Sequence, residues 1–150
     1  MQKSIGKAGI FSVLALGLSA CASGNSLSES APSVPAVQNN EARLVFYRTQ
    51  VMGAAVQPMI SVNGKGTDTC QPNKVFFVDV PTGSNTITAA TENTETLTVV
   101  IGAGQTAYVE CTISFGILVG RVDLKVVPRE TGMGKVGALA FSGLYEIGSM

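Results

Sequence analysis

Arg121-Val122-Asp123-Leu124-Lys125-Val126-Val127 decides the fold. Val122, Leu124 and Val126 fall on one side of an extended chain and the charged residues on the other, because successive strand side chains point to opposite faces. The same period of two recurs upstream. Leu97, Val99 and Ile101 alternate with Thr96 and Thr98, and Ala107, Val109, Cys111 and Ile113 alternate with Thr106, Tyr108, Glu110 and Thr112. Such alternation predicts strands with one buried face and one wet face, and the abundant Val, Ile and Thr suit that conformation.

Turn chemistry separates the strands. Asn63-Gly64 carries the residue types that accept positive φ at both centres of a type I′ hairpin turn. Pro81-Thr82-Gly83 divides a strand over residues 75–80 from one over 85–91, and Gly102-Ala103-Gly104 divides residues 95–101 from 106–113. Short strands at this regular spacing predict an all-β, antiparallel, Ig-like sandwich of roughly seven or eight strands. A short helix is expected over residues 135–145, weakened by Gly137 and Gly143.

The amino-terminal stretch reads differently. Lys3 and Lys7 precede an uncharged run, residues 8–20, that ends in Leu18-Ser19-Ala20-Cys21. A positive segment, an apolar segment and small residues form a secretory leader, and the run is too short to span a membrane, which takes about 20 residues. The four residues closely resemble the bacterial lipobox, in which the cysteine is acylated before cleavage. Residues 1–20 are thus expected to be a signal peptide and Cys21 the lipidated first residue, with the membrane as partner through its acyl chains. An ordinary cleavage site ahead of a soluble periplasmic protein is the alternative. In a Gram-negative envelope Ala22 stands where an aspartate would favour the inner membrane, which points to the outer membrane, with the domain in the periplasm. Residues 22–40, rich in serine with two prolines, read as a flexible tether, with a random-coil reach of about 25 Å. The remainder of the chain, 41–150, suffices for one domain.

Within it, Ala42-Arg43-Leu44-Val45-Phe46-Tyr47-Arg48, Ile60-Ser61-Val62-Asn63-Gly64, Phe77-Val78-Asp79-Val80-Pro81-Thr82-Gly83 and Ala103-Gly104-Gln105-Thr106-Ala107-Tyr108-Val109 follow in an order and spacing that resembles the DUF2846 family. These are small bacterial proteins, often lipoproteins, without an established function. The likeness covers about residues 42–128 and implies a β-sandwich but no chemistry. It departs from the family at Thr82-Gly83-Ser84-Asn85, where Pro-Gly-x-His is common. The chain has no histidine, so no role resting on that residue transfers.

Charge and composition narrow the function classes. Without residues 1–20 the chain carries 8 basic and 10 acidic side chains, scattered along its length, which argues against a nucleic-acid partner. Without histidine, neither a Ser-His-Asp nor a Cys-His set exists. Asp79, Glu92, Glu95 and Glu110 show no spacing that forms an acid/base pair, so no catalytic residues, metal ligands or cofactors are expected beyond the lipid at Cys21. Gly132-Met133-Gly134-Lys135-Val136-Gly137 matches G-x-G-x-x-G formally, but lacks the βαβ context that makes the motif bind a dinucleotide. These glycines are expected in a loop.

Cys70 and Cys111 form an even pair once Cys21 is set aside. In an oxidising compartment a disulfide is expected, closing a loop of about 40 residues and contributing about 4 kcal/mol; two buried thiols are the alternative. Arg48 shares the parity of Leu44 and Phe46. It is expected either in a partly buried ion pair, with Asp79 as the candidate partner, or emerging at the strand end; with Tyr47 and Tyr108 it also offers polar groups for a small ligand or glycan. Phe115-Gly116-Ile117-Leu118-Val119-Gly120 is an apolar run where a loop should fall. Core filling is the favoured expectation for it; exposed, Ile117, Leu118 and Val119 would mark a contact surface. The leading expectation is a non-catalytic envelope lipoprotein acting as a structural or protein-binding module with an envelope protein as partner. A small-ligand or glycan-binding module is the alternative, and an enzyme ranks last.

Overall fold

A computed structural model describes residues 24–148. The expected signal peptide, residues 1–20, and the expected lipidation site, Cys21, lie outside the described residues. The described residues form nine strands and two short α-helices: α1 (Leu27–Ser30), β1 (Glu41–Arg48), β2 (Met59–Val62), β3 (Lys65–Thr69), β4 (Lys74–Pro81), β5 (Gly83–Ala90), β6 (Thr94–Ile101), β7 (Thr106–Ser114), β8 (Arg121–Val127), α2 (Arg129–Val136) and β9 (Ala140–Glu146). Two sheets face each other, one ordered β8-β7-β1-β4-β9 and the other β3-β2-β5-β6. The all-β sandwich is as expected.

The strand count, one above the expected seven or eight, the strand directions and the carboxyl-terminal elements correct the sequence reading. The five-stranded sheet is mixed rather than antiparallel, since β1 runs parallel to β7 and β4 runs parallel to β9. The helix lies over Arg129–Val136, ahead of the expected span, and residues 140–146 form β9 instead. Pro128 follows β8 and caps the helix start, where the φ fixed by its pyrrolidine ring is accepted. The later residues take the open edge of β4, whose backbone groups need partners.

The core has two compartments. Between the sheets lie Leu44, Phe46, Ile60, Val62, Val78, Ile87 and Val109, among others. On the outer face of the larger sheet, Val45, Tyr47, Val75, Phe77 and Tyr108 are covered by Leu27, Val136 and Leu139. All of β1 after Glu41 is therefore buried, on one face or the other.

The G-x-G-x-x-G stretch lies largely inside α2, not in a loop. A Cβ at position 132 would overlap the Tyr108 ring; the glycine lets the helix backbone rest on that ring.

Asn63 and Gly64 both take positive φ and make the expected hairpin turn. At Pro81-Thr82-Gly83 the chain crosses between sheets. Buried Asn85 holds that corner, donating to the Pro81 carbonyl at 2.9 Å and accepting from Asn63 at 2.8 Å.

Residues 25–35 correct the expected tether. Ser26 and Glu29 form a reciprocal capping box at the start of α1, which satisfies orphan amides of the first turn. Leu27 inserts under the helical layer, and the Leu27 and Ser28 amides donate to the Leu139 and Gly137 carbonyls at 2.8 and 3.0 Å. The serine-rich composition suggested disorder, but one buried leucine and a set of backbone hydrogen bonds dock the segment.

Candidate functional site

The strand directions gather four connections at the end of the sandwich where β1 finishes: the β1–β2 loop, the residues after β3, the β5–β6 turn and the β7–β8 loop. Two devices fix this Arg48 end. Cys70 and Cys111 form a disulfide with a Cα–Cα separation of 6.3 Å. It ties the four-stranded sheet, just past β3, to β7 of the other. Beside it, Arg48 is 1% exposed. Its Nε donates to the Gln50 carbonyl at 2.9 Å, Nη1 to the Val56 and Cys70 carbonyls at 2.8 and 3.1 Å, and Nη2 to the Met52 carbonyl at 2.6 Å. Burial holds the guanidinium below the ordinary arginine value. Its planar fork thus pins the β1–β2 loop onto the disulfide-bearing segment.

The candidate ion pair of Arg48 with Asp79 is corrected. Asp79 instead accepts two hydrogen bonds of 2.7 Å from Nε and Nη2 of Arg43, which lies on the opposite parity of β1 and so faces the outer compartment with Asp79. The ligand-binding trio is not brought together either. Tyr47 and Tyr108 pack beneath α2 on the outer face, while Arg48 lies on the inner row. Burial raises both tyrosine pKa values, with Glu110 adding to the effect at Tyr47. The cavity beside Arg48, lined by Phe46, Ile60 and Phe76, has room for a single water at most.

The apolar run over residues 115–120 overturns the expectation of core filling. Phe115, Ile117 and Leu118 are 86%, 92% and 89% exposed, and Val119 is also exposed. Met52 of the β1–β2 loop lines a groove of about 270 Å³ with Phe115, Leu118 and Val119. Contiguous exposed apolar surface of this kind marks a contact site.

The loop is held in shape by Glu92, at the β5–β6 turn. Its carboxylate accepts from the backbone amides of Ile117 (2.8 Å), Leu118, Val119 and Gly120 (3.1 Å). Consecutive amides converging on one anion form a nest. The amides of Val119, Ile117 and Gly120 hold the Glu92 pKa down at about 2, against an ordinary 4.5. Asn93 completes the clasp, donating to the Val122 carbonyl and accepting from its amide at 2.9 and 3.0 Å. A Cβ at Gly116 would fall 2.5 Å from the Glu92 carboxylate, so only glycine permits this approach. In the sequence Glu92 shows no acid/base partner and no other role; the trace of its bracing role is an apolar run bracketed by glycines.

This arrangement presents apolar side chains to the surroundings on a braced loop. No group of three or more His, Cys, Asp or Glu that could hold a metal occurs among the described residues, and no helix among them is long and apolar enough to cross a membrane. The family model described as "Protein of unknown function (DUF2846)" matches residues 38–122. No curated protein and no solved structure matches the chain.

Proposed function

The chain belongs to the DUF2846 family, whose function is unknown, and from that premise we propose that it is an envelope lipoprotein, anchored through Cys21, whose domain is a non-catalytic structural or binding module. Its working surface is the braced apolar end formed by Phe115, Ile117, Leu118 and Val119. The observation that carries this reading is the coexistence of near-complete exposure with a dedicated brace: Glu92 orders a loop whose apolar side chains face outward. An apolar loop without a partner is an aggregation liability, so a rigid one has a contact to make.

The lipobox supports anchoring, and Ala22 after it supports the outer membrane with the domain in the periplasm. The absence of histidine supports a non-catalytic role. The separation of Arg48 from Tyr47 and Tyr108 removes the main support for a small-ligand or glycan site.

A photo-crosslinking amino acid placed at Leu118 in intact cells tests the reading, with Val100 as the comparison position. Val100 is also exposed but lies toward the opposite end of β6. Crosslinks to an envelope component from position 118, absent from position 100, are expected. Equal or absent crosslinking at both positions would refute the working surface.

A further inference from the structure

We infer that the apolar end is a membrane-contact face: residues 115–119 dip into the same bilayer that holds the acyl chains of Cys21, fixing the domain's tilt. The inference rests on the anchoring reading above and names the occupant of the surface proposed there.

Three observations lead to it. The first is where the chain enters the fold. Ser26 bridges Ala140 and Asn25 accepts from the Phe141 amide, at the start of β9, and Gly24 lines one groove with Pro72, Asn73 and Lys74, at the start of β4. Lys74 pairs with Arg48, so Gly24 stands at the Arg48 end, the same end as the apolar loop. Cys21 and Gly24 are close neighbours in sequence, separated by a contour of at most about 11 Å. An acylated Cys21 therefore brings this end, and not the opposite one, to the bilayer.

The second is the spacing across that end. In the order β8-β7-β1-β4-β9, the β7–β8 loop stands at one side and the chain entry beside β9 at the other. At about 4.8 Å per strand they are roughly 15–20 Å apart. Two attachments this far apart define a tilt, where a lipid anchor alone leaves the domain free to swivel.

The third is the chemistry of the loop. A segment entering an apolar medium must leave no backbone donor unsatisfied. The amides of residues 117–120 already donate to Glu92, and residues 115–120 carry no charged side chain. The loop can thus approach the acyl boundary without stranding these donors, which keep Glu92 as their acceptor. Anchoring at Cys21 raises the effective concentration of lipid seen by the loop, so a small apolar surface suffices.

The chain contains no tryptophan, so Leu118→Trp supplies a single reporter, with Ile117→Trp as a second variant at an equally exposed position. The full-length variants, purified from membranes, are placed in vesicles of phosphatidylethanolamine with a minority of phosphatidylglycerol, with or without brominated acyl chains. Val100→Trp is the comparison. The mass of the amino-terminal peptide reports acylation independently.

For the acylated protein, blue-shifted emission quenched by brominated lipid at positions 117 and 118, but not at 100, is expected. Water-like, unquenched emission at 117 and 118 in an acylated protein overturns the inference and leaves the anchor standing. A blue shift without bromine quenching means that protein, such as a second copy of the chain, covers the loop, and overturns it equally. An unmodified Cys21 overturns the anchoring reading itself, and the inference with it.

Discussion

Replacing Arg48 with methionine removes a buried guanidinium while keeping much of the side chain's length. Four carbonyls lose their donor. The Cys70 carbonyl is buried, whereas those of Gln50, Met52 and Val56, all in the β1–β2 loop, are part-buried and rehydrate in part. Each carbonyl left without a partner costs about 1–3 kcal/mol. Relief of the guanidinium's own desolvation offsets part of this. The net expected loss is about 3 kcal/mol, a large part of the roughly 5–15 kcal/mol that typically holds a domain folded. Urea titration followed by circular dichroism reads it as a midpoint lowered by roughly 1–2 M at unchanged slope. Arg48→Lys keeps the charge but not the fork, and an intermediate loss is expected. If Arg48→Met unfolds within about 0.5 kcal/mol of the parent, a range ordinary for surface substitutions, the guanidinium does not hold this end together and the argument fails.

Three further outcomes are expected. Removing the disulfide with Cys70→Ala and Cys111→Ala together, across a sequence separation of 41, should cost about 4 kcal/mol by the same titration. Gly132→Ala drives a methyl group into the Tyr108 ring and should cost about 1–3 kcal/mol as α2 shifts outward, visible as a lowered thermal midpoint. The Glu92 carboxyl, depressed from 4.5 to about 2, favours the folded loop fully above its ordinary value, and this contribution fades as pH falls from near 4.5 toward 2. Protection of the amides of residues 117–120, their exchange relative to the intrinsic rate at each pH, should fall over that window, and Glu92→Gln should lower it already at neutral pH; amides equally protected in both proteins would contradict the nest.

The strands were legible because half-buried strands write their two faces into the sequence, and β6, β7 and β8 each alternate. The parallel partners of β1 and β4 were not, since alternation reports which face is wet and not which strand lies alongside. One available sign was Leu44-Val45-Phe46-Tyr47 and Val75-Phe76-Phe77-Val78, where alternation disappears because both faces are covered. The disulfide followed from cysteine parity and compartment. The docked amino-terminal segment was partly written in Ser26-x-x-Glu29, a capping signal outweighed by the surrounding serines and prolines. Arg48 was placed correctly on the inner row, but its carbonyl partners come from a loop whose path no local pattern encodes. Residues 115–120 were expected to fill the core and face outward instead, for a like reason: composition is the same either way, and the deciding group, Glu92, lies far upstream in the sequence.

The clasp between the amino-terminal segment and residues 137–141 has a consequence in time. Ser28 reaches the Gly137 carbonyl across a separation of 109 residues, and Asn25 accepts from the Phe141 amide. A ribosome makes Ser28 long before Gly137 exists. Throughout that interval residues 25–28 have no docking surface to fold onto, and they stay open until the strand that will hold them has been made. The fold thus builds in a delay: its first segment is among the last to settle.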